Sequence, residues 1–287
     1  MNANPTLSLD LVSDVRELVA FPFMVHALEA GTIVAVLAAS VGWYMVLRRQ
    51  TFAGHTLSLM AFPGATGAAL AGLPVSLGYY LACGAAALAM GRTTRTSTRG
   101  FGSETAVIGT VQTVGLGAGY LFLSLNSAVL TGTETLLFGT FLGVTQGQVV
   151  ALLVIAAAAL IVLAIGARPL LFATVDRDLA HASGVPVGVL DAAFLLLLAV
   201  AVAATSQITG VLLVFAVLVA PPATAQLITT RPLRSLLLSV VFALLIVWLG
   251  LGVAYFSIYP VGFYTTTFAF GLYVAVRVTR WALAGAR

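Results

Sequence analysis

Apolar residues run along this chain in stretches of about twenty, broken by short polar or charged segments, and twenty residues of α-helix are what roughly 30 Å of hydrocarbon demands. The runs fall near 22–47, 56–72, 74–91, 104–125, 148–166, 188–206, 209–228, 235–256 and 261–280. They predict an all-α, polytopic transmembrane helix bundle of eight or nine spans. The second and third runs are short and interrupted by Gly and Pro, so they form either two spans or one broken, re-entrant pair. Between the fourth and fifth, Leu136-Leu137-Phe138-Gly139-Thr140-Phe141-Leu142-Gly143 is too apolar for free solution and too short to span, and is expected to pack as a partial helix against the bundle. Residues 1–21 read differently. Leu11, Val12, Val15, Leu18 and Val19 recur at helical spacing among Asp10, Asp14 and Glu17, the pattern of an amphipathic helix lying in the membrane interface. That stretch has neither the basic start nor the cleavage site of a signal peptide. The chain thus divides into an interfacial segment, 1–21, and a transmembrane domain, 22–287.

Composition supports the same class: 61% of the 287 residues are hydrophobic and 8% charged, with a mean hydropathy of +1.10, which excludes a water-soluble fold. All 13 basic residues are Arg and none is Lys. The net charge of +4 therefore reads as membrane topology and not as affinity for nucleic acid. Arg48 and Arg49 follow the first span; Arg92, Arg95 and Arg99 the third; Arg168 and Arg177 the fifth; Arg231 and Arg234 the seventh; Arg277, Arg280 and Arg287 the last. Basic residues gather in cytoplasmic loops. This puts all five clusters inside and the Arg-free loops at Leu73-Pro74, 126–147 and Ser257-Ile258-Tyr259 outside, with an odd number of spans, the N-terminal side out and the C-terminal side in. Cys83, the single cysteine, lies in an apolar run and reads as a small core residue. Close-set small residues, Gly64, Gly67, Ala68 and Ala71 or Gly115, Gly117 and Gly119, read as places where helix backbones approach one another.

One cytoplasmic loop stands apart. Asp176-Arg177-Asp178-Leu179-Ala180-His181-Ala182-Ser183-Gly184-Val185-Pro186-Val187 carries a helix-starting acid, a short amphipathic stretch and a Gly-x-Pro stop. It is either a plain interhelical linker or a self-contained helix at the membrane face, of the kind a transporter needs to receive motion from a separate ATPase. At this point the chain resembles the ABC-3 family of metal permeases, the membrane subunits of bacterial zinc, manganese and iron importers. The resemblance is carried by Val46-Leu47-Arg48-Arg49 followed by Phe52-Ala53-Gly54; by Phe62-Pro63-Gly64; by Leu137-Phe138-Gly139-Thr140; by Asp176 to Gly184; and by Gly210-Val211-Leu212-Leu213-Val214 leading to Ala220-Pro221-Pro222-Ala223-Thr224-Ala225. It implies a homodimeric, multi-pass permease of the bacterial inner or plasma membrane that carries a divalent metal ion. It also implies two ABC ATPase subunits docked on the loop helices and an extracytoplasmic metal-binding protein. By the same resemblance residues 176–187 are the coupling helix, with Asp176, Asp178, Ala180, His181 and Gly184 facing or shaping the ATPase contact, and bulky charged replacements at Gly184 or Ala180 are expected to uncouple transport. A P-loop needs its Lys to meet phosphates, and this chain has none. If ATP drives transport, a partner chain hydrolyses it and this chain is no enzyme.

Ionisable side chains inside spans are costly and mark functional candidates. His26 and Glu29, three apart near the outer end of the first span, are either two metal ligands or an interfacial His beside a hydrated Glu. His55 is the sharpest candidate. The family pattern after the basic pair reads Gly-Asp-x-x-Ser-His, whereas this chain reads Gly54-His55-Thr56-Leu57-Ser58-Leu59. His55 stands at the Asp position and Leu59 at the His position, so the family's site does not carry over intact. Three readings stay open: a relocated, nitrogen-richer set built from His55 of both protomers with His26 or Glu29, favouring zinc over manganese; a chelated metal as cargo, needing no direct ligands; or a His55 that merely caps a helix start. His181 reads as an interface residue, Glu104 and Asp191 as helix-start acids, and Glu134, with Thr131 and Thr133, as a contact for the binding protein. An ion-coupled secondary transporter is the rival class, but it calls for a mid-membrane acidic relay and Glu29 is the one well-placed acid. An intramembrane enzyme would need a motif such as His-Glu-x-x-His, which is absent.

Overall fold

Every long apolar run becomes a helix. The computed structural model describes residues 16, 18, 20–96, 101–125, 136, 137, 139, 143–211, 213–257 and 259–285. Among them the chain forms α1 (Pro22–Leu47), α2 (Thr51–Leu70), α3 (Val75–Thr96), α4 (Phe101–Leu125), α5 (Gln146–Val175), α6 (Arg177–Ala182), α7 (Val187–Thr209), α8 (Val214–Ile228), α9 (Pro232–Tyr255) and α10 (Val261–Gly285). The nine long helices correspond one for one to the nine runs, and α6 is the short loop helix. The second and third runs are two continuous helices and no broken pair. Six helices, α1, α4, α5, α7, α9 and α10, are long and apolar enough to cross a bilayer by length and composition alone. Helix α8 is apolar but shorter. Helix α2 is only moderately apolar for a different reason: thirteen of its twenty residues are buried, Thr56, Ser58, Gly64 and Thr66 among them, so its neighbours are other helices and not lipid tails. The expected interfacial helix over 1–21 falls almost wholly outside the described residues, as do Thr131, Thr133, Glu134 and the side chain of Glu104.

The chain forms two compact units. One comprises Met1–Trp43, Thr140–Val154 and Ala216–Arg287. Within it α9 packs on α10, and α8 meets α1 closely enough that a Cβ on Gly42 would strike the Leu218 carbonyl oxygen. That carbonyl lies one turn before Pro222, whose ring nitrogen cannot take it up as a hydrogen-bond acceptor. Gln226 Nε2 donates to the Trp43 carbonyl at 2.9 Å and Trp43 Nε1 to Ser235 Oγ at 2.9 Å. The Ala220-Pro221-Pro222 segment is therefore a packing device against the end of α1.

The other unit comprises Tyr44–Gly139 and Ile155–Phe215. Its centre is α2, packed on α3, α4 and α7. Gly64 on α2 and Gly78 on α3 let the two backbones touch: a Cβ on either would collide with the other's carbonyl. Small residues allow this approach where lipid supplies no hydrophobic drive. Thr56 Oγ1 donates to Gln112 Oε1 on α4 at 3.1 Å, and Cys83 Sγ to the Leu57 carbonyl at 3.3 Å, so the cysteine is an interior packing residue. Two of the motif pieces meet here. Val211 N donates to the Leu136 carbonyl at 3.3 Å, and Gly139, at φ +81°, lies against the backbone of Ile208, Thr209 and Gly210.

Candidate functional site

Helix α6 is a self-contained protrusion whose two ends are closed by its own sequence. Asp176 at the N-cap has extended backbone, and its side chain accepts from Leu179 N at 2.9 Å, a capping bond that satisfies one of the helix's free N–H groups. At the other end Gly184 N donates to the His181 carbonyl and Val185 N to the Ala180 carbonyl, both at 3.0 Å. This paired closure needs a left-handed residue, supplied by Gly184 at φ +83°. Ala180 is fully buried and packs with Ala173 and Val187, flanked by Phe172, Val185 and Leu190. Leu179, His181, Asp176 and Asp178 are exposed. The five residues singled out from the sequence thus gather on one element in two roles. Ala180 and Gly184 build it, while Asp178 and His181 are presented by it and Asp176 does both. Space is open around Gly184, whereas Ala180 has none, so a bulky charge at Ala180 breaks the element and one at Gly184 strains only its backbone.

The protrusion is tied to the bundle by an ion cluster the sequence reading did not assemble. Arg48, just beyond α1, has a side chain only 6% exposed and pairs through Nη2 with Asp191 on α7. Its Nη1 donates to Thr174 Oγ1 on α5 at 3.2 Å, and its guanidinium lies 5.2 Å from the Phe194 ring centroid. The second oxygen of Asp191 accepts from Arg177, the first residue of α6, at 2.5 Å. One carboxylate therefore joins the α1–α2 elbow, the start of α7 and the root of α6. Asp191 lies in the second turn of α7 and does more than a helix-start acid would. The signal available in the sequence was an acid at the edge of an apolar run, in a chain with few acids, opposite two Arg clusters.

His55 lies in the second turn of α2. The helix begins at Thr51 with Gln50 as its N-cap, so His55 does not cap it. Its ring is half-buried and meets Phe215 edge-on, with centroids 4.9 Å apart and planes at 65°. Its Nδ1 is buried and has no hydrogen-bond partner. Ser58 is buried and donates to the His55 carbonyl at 2.7 Å, leaving the imidazole untouched. A buried imidazole nitrogen without a partner calls for an explanation: it is a site where a donor or a metal can be accepted. Leu59, one turn on, offers none.

His26 and Glu29 belong to the other compact unit, near the start of α1. His26 is half-buried. Glu29 is exposed on a hollow of about 780 Å³ whose walls are mostly apolar, with Val25, Leu28, Val149 and Trp248 among them. Trp248 Nε1 donates to Thr32 Oγ1 at 2.9 Å beside it. His26 does not line that hollow, so the two residues, though three apart, do not share it. Among the described residues no three His, Cys, Asp or Glu side chains stand close enough together to hold a metal ion.

Comparison with known proteins places this architecture. The profile of the ABC 3 transport family matches residues 20–280. The manganese transport system membrane protein MntC of Halalkalibacterium halodurans is 28% identical over 242 residues, covering 84% of this chain and 81% of that protein. The chelated iron transport system membrane protein YfeC of Yersinia pestis is 31% identical over 239 residues, covering 83% of this chain and 79% of that one. Among solved structures, PsaBC from Streptococcus pneumoniae in complex with Fab superposes with a TM-score of 0.82 at 25% identity, over 93% of this chain and 95% of that chain.

Proposed function

This chain belongs to the ABC 3 transport family, and from that premise we propose that it is the permease subunit of an ABC importer that carries a divalent metal ion inward across the bacterial inner membrane. It is an integral membrane protein. The observation that carries the reading is the protrusion: α6 is capped at both ends, anchored through Ala180 and joined by Arg177, Asp191 and Arg48 to three transmembrane helices. That is the construction needed to pass a push from a soluble engine into a bundle without being absorbed by a soft linker. Two copies of the chain would flank the path, two ATPase subunits would grip the α6 tips, and an extracytoplasmic binding protein would deliver the ion.

The names of the relatives, manganese and chelated iron, support a metal cargo, and the His55 imidazole supports zinc among the ions. A nitrogen donor in place of a carboxylate shifts preference toward zinc. His26 and Glu29 are proposed as further ligands nearer the outer face. The test is ATP-dependent uptake of zinc, manganese and ferrous ions by proteoliposomes holding the chain with its cognate ATPase and binding protein, wild type against His55→Ala. Zinc uptake that falls at least about tenfold in the variant, as expected for loss of a direct ligand, supports the reading. Zinc uptake unchanged by His55→Ala removes His55 from the path. A second reading, a metal chelate as cargo, is favoured by the substitution of Leu59 for a ligand and by the chelated-iron relative. It predicts no uptake of any free ion and full uptake of a chelated one.

A further inference from the structure

Next to the ion cluster, the ends of α1, α2, α4 and α5 surround a hollow of about 480 Å³. Arg48, Arg49 and Arg177 line it together with Gln50, and its lining also includes the apolar side chains of Phe52 and Ile108. Three guanidiniums here face a single carboxylate, that of Asp191, which Arg48 and Arg177 already share. Arg49 is exposed and, among the described residues, makes no ion pair. Two hydrogen-bonding atoms in the wall are buried and unmet: Nε of Arg48, whose side chain is 6% exposed, and Oε1 of Gln50.

Arg49 also holds a conformation that side chains avoid. It sits at φ +58° where α1 ends, the left-handed position that usually falls to glycine. An arginine kept there at a conformational cost points to a use for its charge. Through Ile108 the hollow adjoins α4, whose span Thr105–Leu125 is only 17% buried within the chain. By the arginine distribution, this end of the bundle faces the cytoplasm, where anionic lipid headgroups collect in basic pockets between helices.

We propose that the hollow binds the phosphate headgroup of an anionic glycerophospholipid of the cytoplasmic leaflet. The phosphodiester meets Arg49 and Arg177, a headgroup hydroxyl is available to Gln50, and the acyl chains lie along α4. A free phosphate would use the same guanidiniums, but it would leave the apolar lining, Phe52 and Ile108, without a role. The proposal is independent of the metal carried.

The test is native mass spectrometry of the full chain, delipidated in detergent and titrated separately with phosphatidylglycerol, phosphatidylcholine and inorganic phosphate. Wild type is expected to bind one phosphatidylglycerol at least about tenfold more tightly than phosphatidylcholine. Arg49→Gly relieves the positive φ, so it folds at least as well as wild type, and it should lose about fivefold in phosphatidylglycerol affinity, with Arg49→Lys restoring most of it. Arg231→Gln, an exposed arginine that does not line the hollow, should change nothing. Equal binding of the two lipids, or equal losses in Arg49→Gly and Arg231→Gln, overturns the site. Saturable inorganic phosphate binding that displaces the lipid assigns the hollow to a soluble anion and overturns the lipid.

Discussion

Arg48 at the α1–α2 elbow and His55 in the second turn of α2 belong to the same compact unit, and each puts polar nitrogen out of reach of solvent, with opposite consequences. The buried guanidinium of Arg48 is committed: Asp191 holds Nη2, Thr174 holds Nη1 and the ring of Phe194 lies beside it. His55 is uncommitted at its nitrogen: the buried Nδ1 has no partner, while the ring meets Phe215 edge-on. A buried charge held at both Nη atoms ties three helices together, even with its Nε unmet. An unmet imidazole nitrogen adds no polar tie to that arrangement. Within one unit, partner count separates a side chain built into the structure from one left available.

The sharpest way to break this contrast is to change one residue on each side and compare stability with transport. Asp191→Asn leaves Arg48 buried without its counter-charge and should destabilise the chain by about 3 kcal/mol, the low end of the range for a broken buried pair because Asp191 is 21% exposed. Thermal unfolding of the purified chain in detergent reads this directly. His55→Ala should alter stability by less than about 1 kcal/mol while lowering uptake of the ion at least about tenfold. If the two variants unfold alike, His55 is a structural residue and the distinction collapses.

A smaller effect is expected at the protrusion itself. Gly184 stands at φ +83° with open space around its Cα, so Gly184→Ala costs backbone strain alone, roughly 1–2 kcal/mol. Because α6 closes on itself through Asp176, Ala180 and Val185, that cost should stay local. Hydrogen exchange should quicken over 176–187 and remain unchanged in α2. Quickening that spreads into α2 would mean that α6 is not an independent element and that strain at its end passes on into the bundle.

Much of this was legible in the chain, and what was not has a common cause. The caps of α6 could be read because Asp176, Gly184 and Pro186 act on neighbours within one or two turns. The apolar runs matched the long helices because lipid imposes its demand on every residue in turn. Helix α2 starts at Thr51 and not near residue 56, since Thr51, His55 and Thr56 look like a loop until other helices surround them. Helix α8 starts at Val214 and not near residue 209, since Gly210, at φ +76°, ends α7 where the apolar run continues. The Arg48–Asp191 pair joins residues 143 positions apart, and nothing local marks either as the other's partner. The same holds for Gly42 against Leu218. His55 was visible as a candidate from its type and place; that its nitrogen is unmet could be known only from its neighbours.

The smallest effect tests the ionic tie. Arg177 shares Asp191 with Arg48, but its side chain is 64% exposed, and pairs of that kind contribute between nothing and about 1 kcal/mol because water and salt screen them. Arg177→Gln should therefore unfold within about 1 kcal/mol of wild type, with the difference vanishing at high salt. Its position predicts more than its energy does. Arg177 is the first residue of α6 and Asp191 stands in α7, so among the described residues this pair is the ion pair between the protrusion and a transmembrane helix. Loss of it should lower the metal carried per ATP hydrolysed in the reconstituted transporter while binding of the ATPase stays as it was. The double variant Arg177→Gln with Asp191→Asn should be no less coupled than Asp191→Asn alone, since both remove the same link. If Arg177→Gln alone destabilised the chain as much as Asp191→Asn, the exposed arginine and not the buried one would be the partner that holds Asp191, and burial would have misidentified which contact fixes the elbow.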